Sequence, residues 1–428
     1  MSFISRYRSV RISAAVILTL CLMLSACLSP TSAGAQIWYG EDSIPAAAYA
    51  DKVYSQPAAA QPELALDCRA AILMEQETGR VLFEKNADEC LPEASITKIM
   101  TMLLVFEALD SGRITMEETA VCSAHAASMG GSQIWLEEGE QMTVHELIKA
   151  AMVGSANDAS VVLAEHIAGS HESFVAMMNA RAAELGMAGT AYKNCTGLDA
   201  EGHVTTARDI AIVSAELLRH EKVMDYSTIW MDSMRGGELE LVNTNKLVRS
   251  YNGITGLKTG TTSQAGCCVS ATAKRDGMPL VAVIMGAPNS KTRFSCASKL
   301  LDYGFATFEL LDLSNIPVTA PEIAVTKGIE KTLQTTVDMS GKVLIPKGRS
   351  ADVAVSVKAE EEVCAPVEYG QTVGQVTVTL DGEKLAVCSI VTDAATEAVT
   401  FSNVFSLFID GLFKSRFVPA RKTSASLY

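Results

Sequence analysis

The run from Ile96 to Leu109 constrains this chain more than any other stretch. Ile96, Ile99, Met100, Leu103, Leu104 and Phe106 recur at helical spacing, so the segment reads as a helix with an apolar stripe to bury. Pro92 ahead of it and Glu93 in the approach suit a first turn. Ser95 and Lys98 stand at its head, one turn apart on one face, where a hydroxyl and an amine can meet. A hydroxyl beside an amine is a nucleophile beside a base, provided the amine is neutral. Taken alone, the pair reads better as a serine near a helix start with a lysine reaching to water. It is, however, the only Ser-x-x-Lys in the chain, so the residues downstream decide its meaning.

At 428 residues the chain exceeds one typical domain, and two domains with appendages are expected. A hydrophobic content of 48% with 20% charged residues describes a folded, core-forming protein. The net charge of -14 argues against nucleic acid and against purely electrostatic attachment to anionic lipid. Eleven cysteines form no Cys-x-x-Cys and no Cys/His cluster of zinc spacing, so neither metal nor cofactor is expected. Cys21 and Cys27 lie in the N-terminal segment, and the remaining nine read mostly as small buried apolar residues, with Cys68 and Cys90 a candidate disulfide.

Arg6, Arg8 and Arg11 precede a short apolar run, Ile12 to Leu24, which reads as an export signal rather than a membrane span. Two processing sites compete: Ala33-Gly34-Ala35 suits ordinary cleavage, giving a signal over 1–35, whereas Leu24-Ser25-Ala26-Cys27 resembles a lipobox that would leave a lipidated Cys27. Residues 36–63, rich in Ala, Pro and Ser, read as a linker.

A first folded domain is expected over 64–313. It opens with strand, turn and strand at Ala70–Leu73 and Val81–Phe83, and the Ser95 helix follows. Helices are then expected at Val144–Val153, Ala159–Ala168, Ser173–Leu185 and Ala207–Leu218, the last capped by Thr205 or Thr206. Strands return at Cys268–Ala273 and Leu280–Met285, and Lys299–Phe308 reads as a closing helix. Strands at both ends with helices between predict an α+β domain, one sheet built from distant parts plus a helical insert.

Residues 316–395 predict a small all-β domain, with Asp381-Gly382 turning a hairpin between alternating runs. At 400–417, Phe401, Val404, Phe405, Phe408, Leu412 and Phe413 share one helical face, with Lys414, Arg416, Arg421 and Lys422 nearby. That pattern favours a helix lying on a membrane surface over one docked on its own protein.

Three short patterns then fall in order. Ser95-Ile96-Thr97-Lys98 is followed by Ser155-Ala156-Asn157 in a turn between helical stretches, and by Lys258-Thr259-Gly260-Thr261 on an apparent strand. A Ser-x-Asn alone carries no weight, since Ser250-Tyr251-Asn252 matches it too. The ordered set carries much more, because it is a known acyl-serine motif set.

On these motifs the chain resembles the D-alanyl-D-alanine carboxypeptidases, the low-molecular-mass penicillin-binding proteins. The resemblance runs from about Leu64 to Phe417 and extends to Gly131-Ser132, Leu136, Gly139-Glu140, Thr196-Gly197-Leu198-Asp199 and Asn243-Thr244-Asn245-Lys246-Leu247. It implies the penicillin-binding-protein/β-lactamase-like transpeptidase fold, an antiparallel sheet flanked by helices with a helical subdomain. It also implies removal of the terminal D-alanine from pentapeptide stems of peptidoglycan, β-lactams as covalent inhibitors, and an exported enzyme at the outer face of the cytoplasmic membrane.

The residues support such chemistry on their own terms. Ser95 would attack the penultimate D-alanine carbonyl. Lys98 would act as base once its pKa falls from about 10.4 toward neutral, which burial and the charge of Lys258 both favour. Ser155 would relay a proton, and Asn157 would hold the substrate amide while fixing Lys98. The N–H groups of Ser95 and Thr261 would form an oxyanion hole, with Gly260 letting the substrate lie close. Lys258, Thr259, Thr261 and Arg293 are candidates for the substrate carboxylate, Arg293 because it falls where the family carries such an arginine; alone it reads equally as a solvated loop residue.

Three other readings compete. A serine β-lactamase shares the motifs, but Ala191–Asp199 lacks the glutamate that class A enzymes use to deacylate the drug ester. A D,D-endopeptidase shares the acyl-enzyme without needing the carboxylate grip. An inactive wall-binding scaffold would explain the C-terminal parts but not an intact set of reactive groups.

Overall fold

The computed structural model describes residues 63–415; the expected signal, the linker up to residue 62 and the basic end of the tail, Arg416, Arg421 and Lys422, lie outside them. The sheet of the first domain is five-stranded and antiparallel. Its order is Val81–Lys85, Ala70–Glu75, Met278–Ala287, Gly266–Arg275 and Ile254–Thr262. Strands more than two hundred residues apart are therefore direct neighbours, as Ala70 and Met285 are. Met278–Ala287 lies in the middle and is buried on both faces, which explains its unbroken apolar run.

The helix Ser290–Thr307 covers one face through Ala297, Leu300, Leu301 and Phe305. Ala207–Leu217 covers the other, capped as expected by Thr206, whose side chain accepts from Asp209 N. Ser214 Oγ and Ser270 Oγ meet at 2.8 Å across that interface.

The helix behind the motif serine departs from the expectation. A short 3-10 turn, Ala94–Thr97, leads into Lys98–Asp110, and every residue from Lys98 to Ala108 is buried. It lies between Ala207–Leu217 and the helical insert, so there is no solvent face for a stripe to oppose. Its one acid inside, Glu107, is matched by Arg181 at 2.9 Å, and Arg181 also reaches Glu216 at 2.8 Å. This three-charge cluster joins three helices, and removing Arg181 would take from the buried Glu107 its charged partner.

In the insert, Val144–Lys149 does not continue as an α-helix to Val153. Ala150–Gly154 widens into a π-turn and ends on Ser155 in the left-handed region, φ 62°. Such bulges re-aim the residue that follows. Asn157–Ala168 then begins two residues ahead of the expected start.

The nine cysteines among the described residues are free, and Cys68 lies against Cys296 rather than Cys90. The expected Cys68–Cys90 disulfide is thus replaced by two separate thiols. Cys68 is buried in the core beside the helix Ser290–Thr307, while Cys90 is exposed.

A strand, Phe308–Asp312, follows the closing helix directly and pairs with Lys342–Pro346 of the β-rich region. Arg80 Nη1 donates to Leu344 O at 3.0 Å, so hydrogen bonds as well as chain join the two parts. The second part comprises a four-stranded antiparallel sheet and a three-stranded one, sharing a core of Val325, Val363, Val376, Val378 and Ile390. Asp381 and Gly382 take φ 51° and 81° in the expected hairpin turn. The helix Phe401–Ser415 ends the described chain.

Candidate active site

Three elements of different origin meet at one cleft. The 3-10 turn carries Ser95, half-buried and reachable. Lys98 begins the helix behind it with no exposure at all. Its Nζ lies 3.3 Å from Ser95 Oγ, 2.6 Å from Asn157 Oδ1 and 2.7 Å from Thr196 O. A neutral amine has two N–H groups and one lone pair. The two short contacts take the N–H groups, which turns the lone pair toward the Ser95 hydroxyl.

Asn157 is fixed in turn, its Nδ2 donating to Gly130 O at 2.7 Å and its backbone N to Ser132 O at 2.7 Å. It is thereby first a clamp on Lys98. Only its second Nδ2–H remains for the substrate amide of the sequence expectation. Next to it, Asp158 accepts from Ile134 N and Leu136 N, holding the loop that carries Gly130 and Ser132.

The opposite wall is the strand Ile254–Thr262. Lys258 Nζ donates to Ser155 Oγ at 2.9 Å and to Thr259 O at 3.0 Å. Thr259 Oγ1 donates to Thr244 Oγ1 at 2.7 Å, while Thr261 is exposed. A Cβ added to Gly260 would come 2.7 Å from Ser95 N, so only glycine lets this strand close on the turn that carries the serine. Gly197, at φ 85°, is tighter still, since a Cβ there would fall 1.9 Å from Ala94 O. Gly197→Ala is expected to displace the Ser95 turn and cut covalent labelling by penicillin at least tenfold, measured as the acylation rate of folded protein. An unchanged rate would show that the turn tolerates the push.

Arg293 differs most from its sequence reading. It is not in a loop but in the first turn of the helix Ser290–Thr307, which starts well ahead of Lys299, and it is buried. Asn289 caps that turn by accepting from Thr292 N, a signal the apolar periodicity, beginning only at Phe294, does not reveal. Arg293 Nη1 donates to Gly260 O and Thr261 Oγ1, both at 2.9 Å, and to Cys268 O at 3.2 Å. It braces the end of the motif strand and puts a fixed positive charge beside Thr261.

Electrostatics follow from burial. Desolvation pushes Lys98 down to about 7, with Cys195 and Asp158 pulling weakly upward. Lys258 is pushed well below the usual lysine value, first by burial and then by repulsion from Lys98 and Arg293. The expectation that burial and the charge of Lys258 together neutralise Lys98 is therefore cut back to burial: desolvation leads for both amines, and the repulsion between them falls on Lys258.

The contacts missed in the sequence are mainly backbone groups. Thr196 O and Gly130 O have no sequence signature, although Gly131 and Gly197, at φ 79° and 85°, mark the close approaches nearby.

A hydroxyl facing a buried amine, a second Ser–Lys couple and a glycine-closed strand define a serine acyl-transfer hydrolase of the penicillin-binding type. Comparison with known proteins agrees: residues 55–289 match the family described as D-alanyl-D-alanine carboxypeptidase, and 305–398 match the penicillin-binding protein 5 C-terminal domain. The chain belongs to this D-alanyl-D-alanine carboxypeptidase family. It is 44% identical over 328 residues to D-alanyl-D-alanine carboxypeptidase DacF of Bacillus subtilis, covering 76% of this chain and 84% of that one. It is 35% identical to DacC of Escherichia coli, with 75% and 82% covered. Its fold is similar to penicillin-binding protein 5 of Haemophilus influenzae, with a TM-score of 0.70, 29% identity, and 78% of this chain and 99% of that chain covered. Penicillin-binding protein D2 of Listeria monocytogenes, solved in an ampicillin-bound form, covers 57% of this chain and 100% of its own, with a TM-score of 0.53 and 32% identity.

Proposed function

We propose that Ser95 is the nucleophile of a serine D-Ala-D-Ala carboxypeptidase acting on peptidoglycan stem peptides. The observation that carries this reading is the convergence of Lys98 Nζ on Ser95 Oγ, Asn157 Oδ1 and Thr196 O. The Ser95 hydroxyl gives its proton to Lys98, and its oxygen attacks the penultimate D-alanine carbonyl. The N–H groups of Ser95 and Thr261 hold the oxyanion, each contributing about 3 kcal/mol as at comparable sites. Ser155, bonded to Lys258, passes a proton to the leaving amine, and water then hydrolyses the acyl-serine.

The substrate carboxylate lies against Thr259, Thr261 and Lys258, with Arg293 behind them. Its arrival favours a charged Lys258, and repulsion from that ammonium then keeps Lys98 neutral. This grip on a free carboxylate supports a carboxypeptidase over a D,D-endopeptidase. Incubation with diacetyl-Lys-D-Ala-D-Ala should release free D-alanine; a protein that takes penicillin covalently but frees none would overturn the substrate assignment.

The protein acts on the outer face of the cytoplasmic membrane, exported by its N-terminal segment and held by the C-terminal helix. No helix of the described residues is long and apolar enough to cross a membrane. Phe401, Phe405 and Phe408 are nevertheless 88%, 54% and 62% exposed on Phe401–Ser415, as an interfacial helix requires. Deleting residues 400–428 is expected to release the protein from membranes on fractionation. Retention would transfer the anchor to a lipidated Cys27 or an uncleaved N-terminus.

A further inference from the structure

Behind the nucleophile lies a group of buried polar side chains that the proposed reaction does not use. Glu93, two residues before Ser95, is fully buried, and neither of its carboxyl oxygens has a hydrogen-bond partner. The nearest ring nitrogen, His203 Nε2, lies 3.3 Å from Glu93 Oε1. His203 Nδ1 accepts from Lys193 N at 2.9 Å, which assigns the ring proton to Nε2. Burial holds that ring down at about 4, so His203 is neutral and offers Glu93 no counter-charge.

The same Nε2 lies 2.9 Å from Thr97 Oγ1, and the Thr97 hydroxyl donates to Ala94 O at 2.8 Å. Ala94 is held in the left-handed region at φ 52° and directly precedes Ser95. From the front, Gly260 closes on the same turn: a Cβ there would lie 2.9 Å from Glu93 O and 2.7 Å from Ser95 N. The Glu93 carboxyl is thus joined, through His203 Nε2 and Thr97 Oγ1, to the turn whose Ser95 N–H is to hold the oxyanion.

The ionisable groups that interact with Glu93 directly add no positive charge, and the Arg293 guanidinium, which shares the neighbour Cys268 with it, is engaged by Gly260 O and Thr261 Oγ1. Tyr192 is fully buried, its hydroxyl also without a partner; Asp209 is acidic, and the thiol of Cys268 is pushed up to about 11. A carboxylate buried without a cation is costly, and Glu93 accordingly rises to about 8, first through desolvation, with the Thr97 side chain pulling it down and Asp209 adding to the rise.

We propose that Glu93 is a positioning residue for Ser95: a neutral carboxylic acid that supports the nucleophile's turn and, on losing its proton, sets an uncompensated negative charge behind the oxyanion hole. In a low-dielectric wall that charge opposes the one developing on the attacked carbonyl. The inference rests on the Ser95 reading above. The sign is fixed by the acid: the neutral form is active, so acylation persists below about 8 and falls above it. Lys98 sets the other limb, near 7.

The test is the acylation rate of the full chain by a fluorescent penicillin between about pH 6 and about pH 10, for wild type and Glu93→Gln. One unit above its apparent pKa, a single ionisation leaves the wild-type rate about tenfold below its plateau. Glu93→Gln should match wild type near neutrality and keep its rate through the alkaline range, because the amide cannot ionise. A merely structural role would lower the rate equally at every pH. If Glu93→Gln does not fold, Glu93→Leu serves the same comparison, since it removes the charge and the unpartnered atoms together. An alkaline limb identical in wild type and variant, or no fall in wild type above about 8, overturns the proposal. Absence of wild-type labelling at every pH overturns the Ser95 assignment instead.

Discussion

Ser95→Ala is expected to abolish covalent attachment of penicillin and release of D-alanine together, while leaving the fold intact. The serine is half-buried on a short 3-10 turn, and its side chain packs no core, so removing one oxygen leaves no cavity to collapse. The other serine hydroxyl at the site, on Ser155, faces Lys258 rather than replacing Ser95 beside Lys98. Gel fluorescence after incubation with a labelled penicillin reads the first effect, and a thermal melt checks the second. Labelling that survived in the variant would remove Ser95 from the nucleophile's role.

Lys98→Arg is expected to be nearly as severe, although it keeps the charge type. A guanidinium cannot give up its proton in a protein, and so cannot take one from Ser95. The loss should be on the order of a hundredfold to ten-thousandfold in acylation rate, the usual worth of a general base. In wild type the same argument sets the acid limb. Burial brings Lys98 to about 7, so acylation should rise as pH passes through that value. The linkage sign agrees. The folded value lies below the ordinary lysine value of 10.5, so this lysine destabilises the fold most below about 7, and its cost fades as pH rises toward 10.5. A rate independent of pH below 7 would show that another group deprotonates Ser95.

The order of the reactive groups was legible because each motif is a short local pattern. Ser95 and Lys98 share a helical turn, and Lys258 to Thr261 share a strand. The surroundings of those groups were much less so. Lys98 reads as a helix-surface lysine until the helical insert and the residues around Thr196 close over it. Arg293 looked like a loop residue because its helix begins with polar side chains, so periodicity starts one turn too late. Glu93 passed as an ordinary acid near a helix start, and nothing local shows that its carboxyl ends up without a partner.

By itself the sequence determined the alternation of strands and helices, the all-β second domain, the hairpin at Asp381-Gly382 and the candidates for the reacting side chains. These depend on side-chain period, turn chemistry and residue type, all of which are local. Only the tertiary structure decided which groups are dry. The five-stranded sheet brings Ala70 beside Met285, and the closing of Gly260 and Gly197 on one turn seals Lys98, Lys258 and Glu93 from water. Protonation in a protein is set by desolvation and by neighbours distant in sequence, so the neutral lysine behind Ser95 is a property of the packed fold.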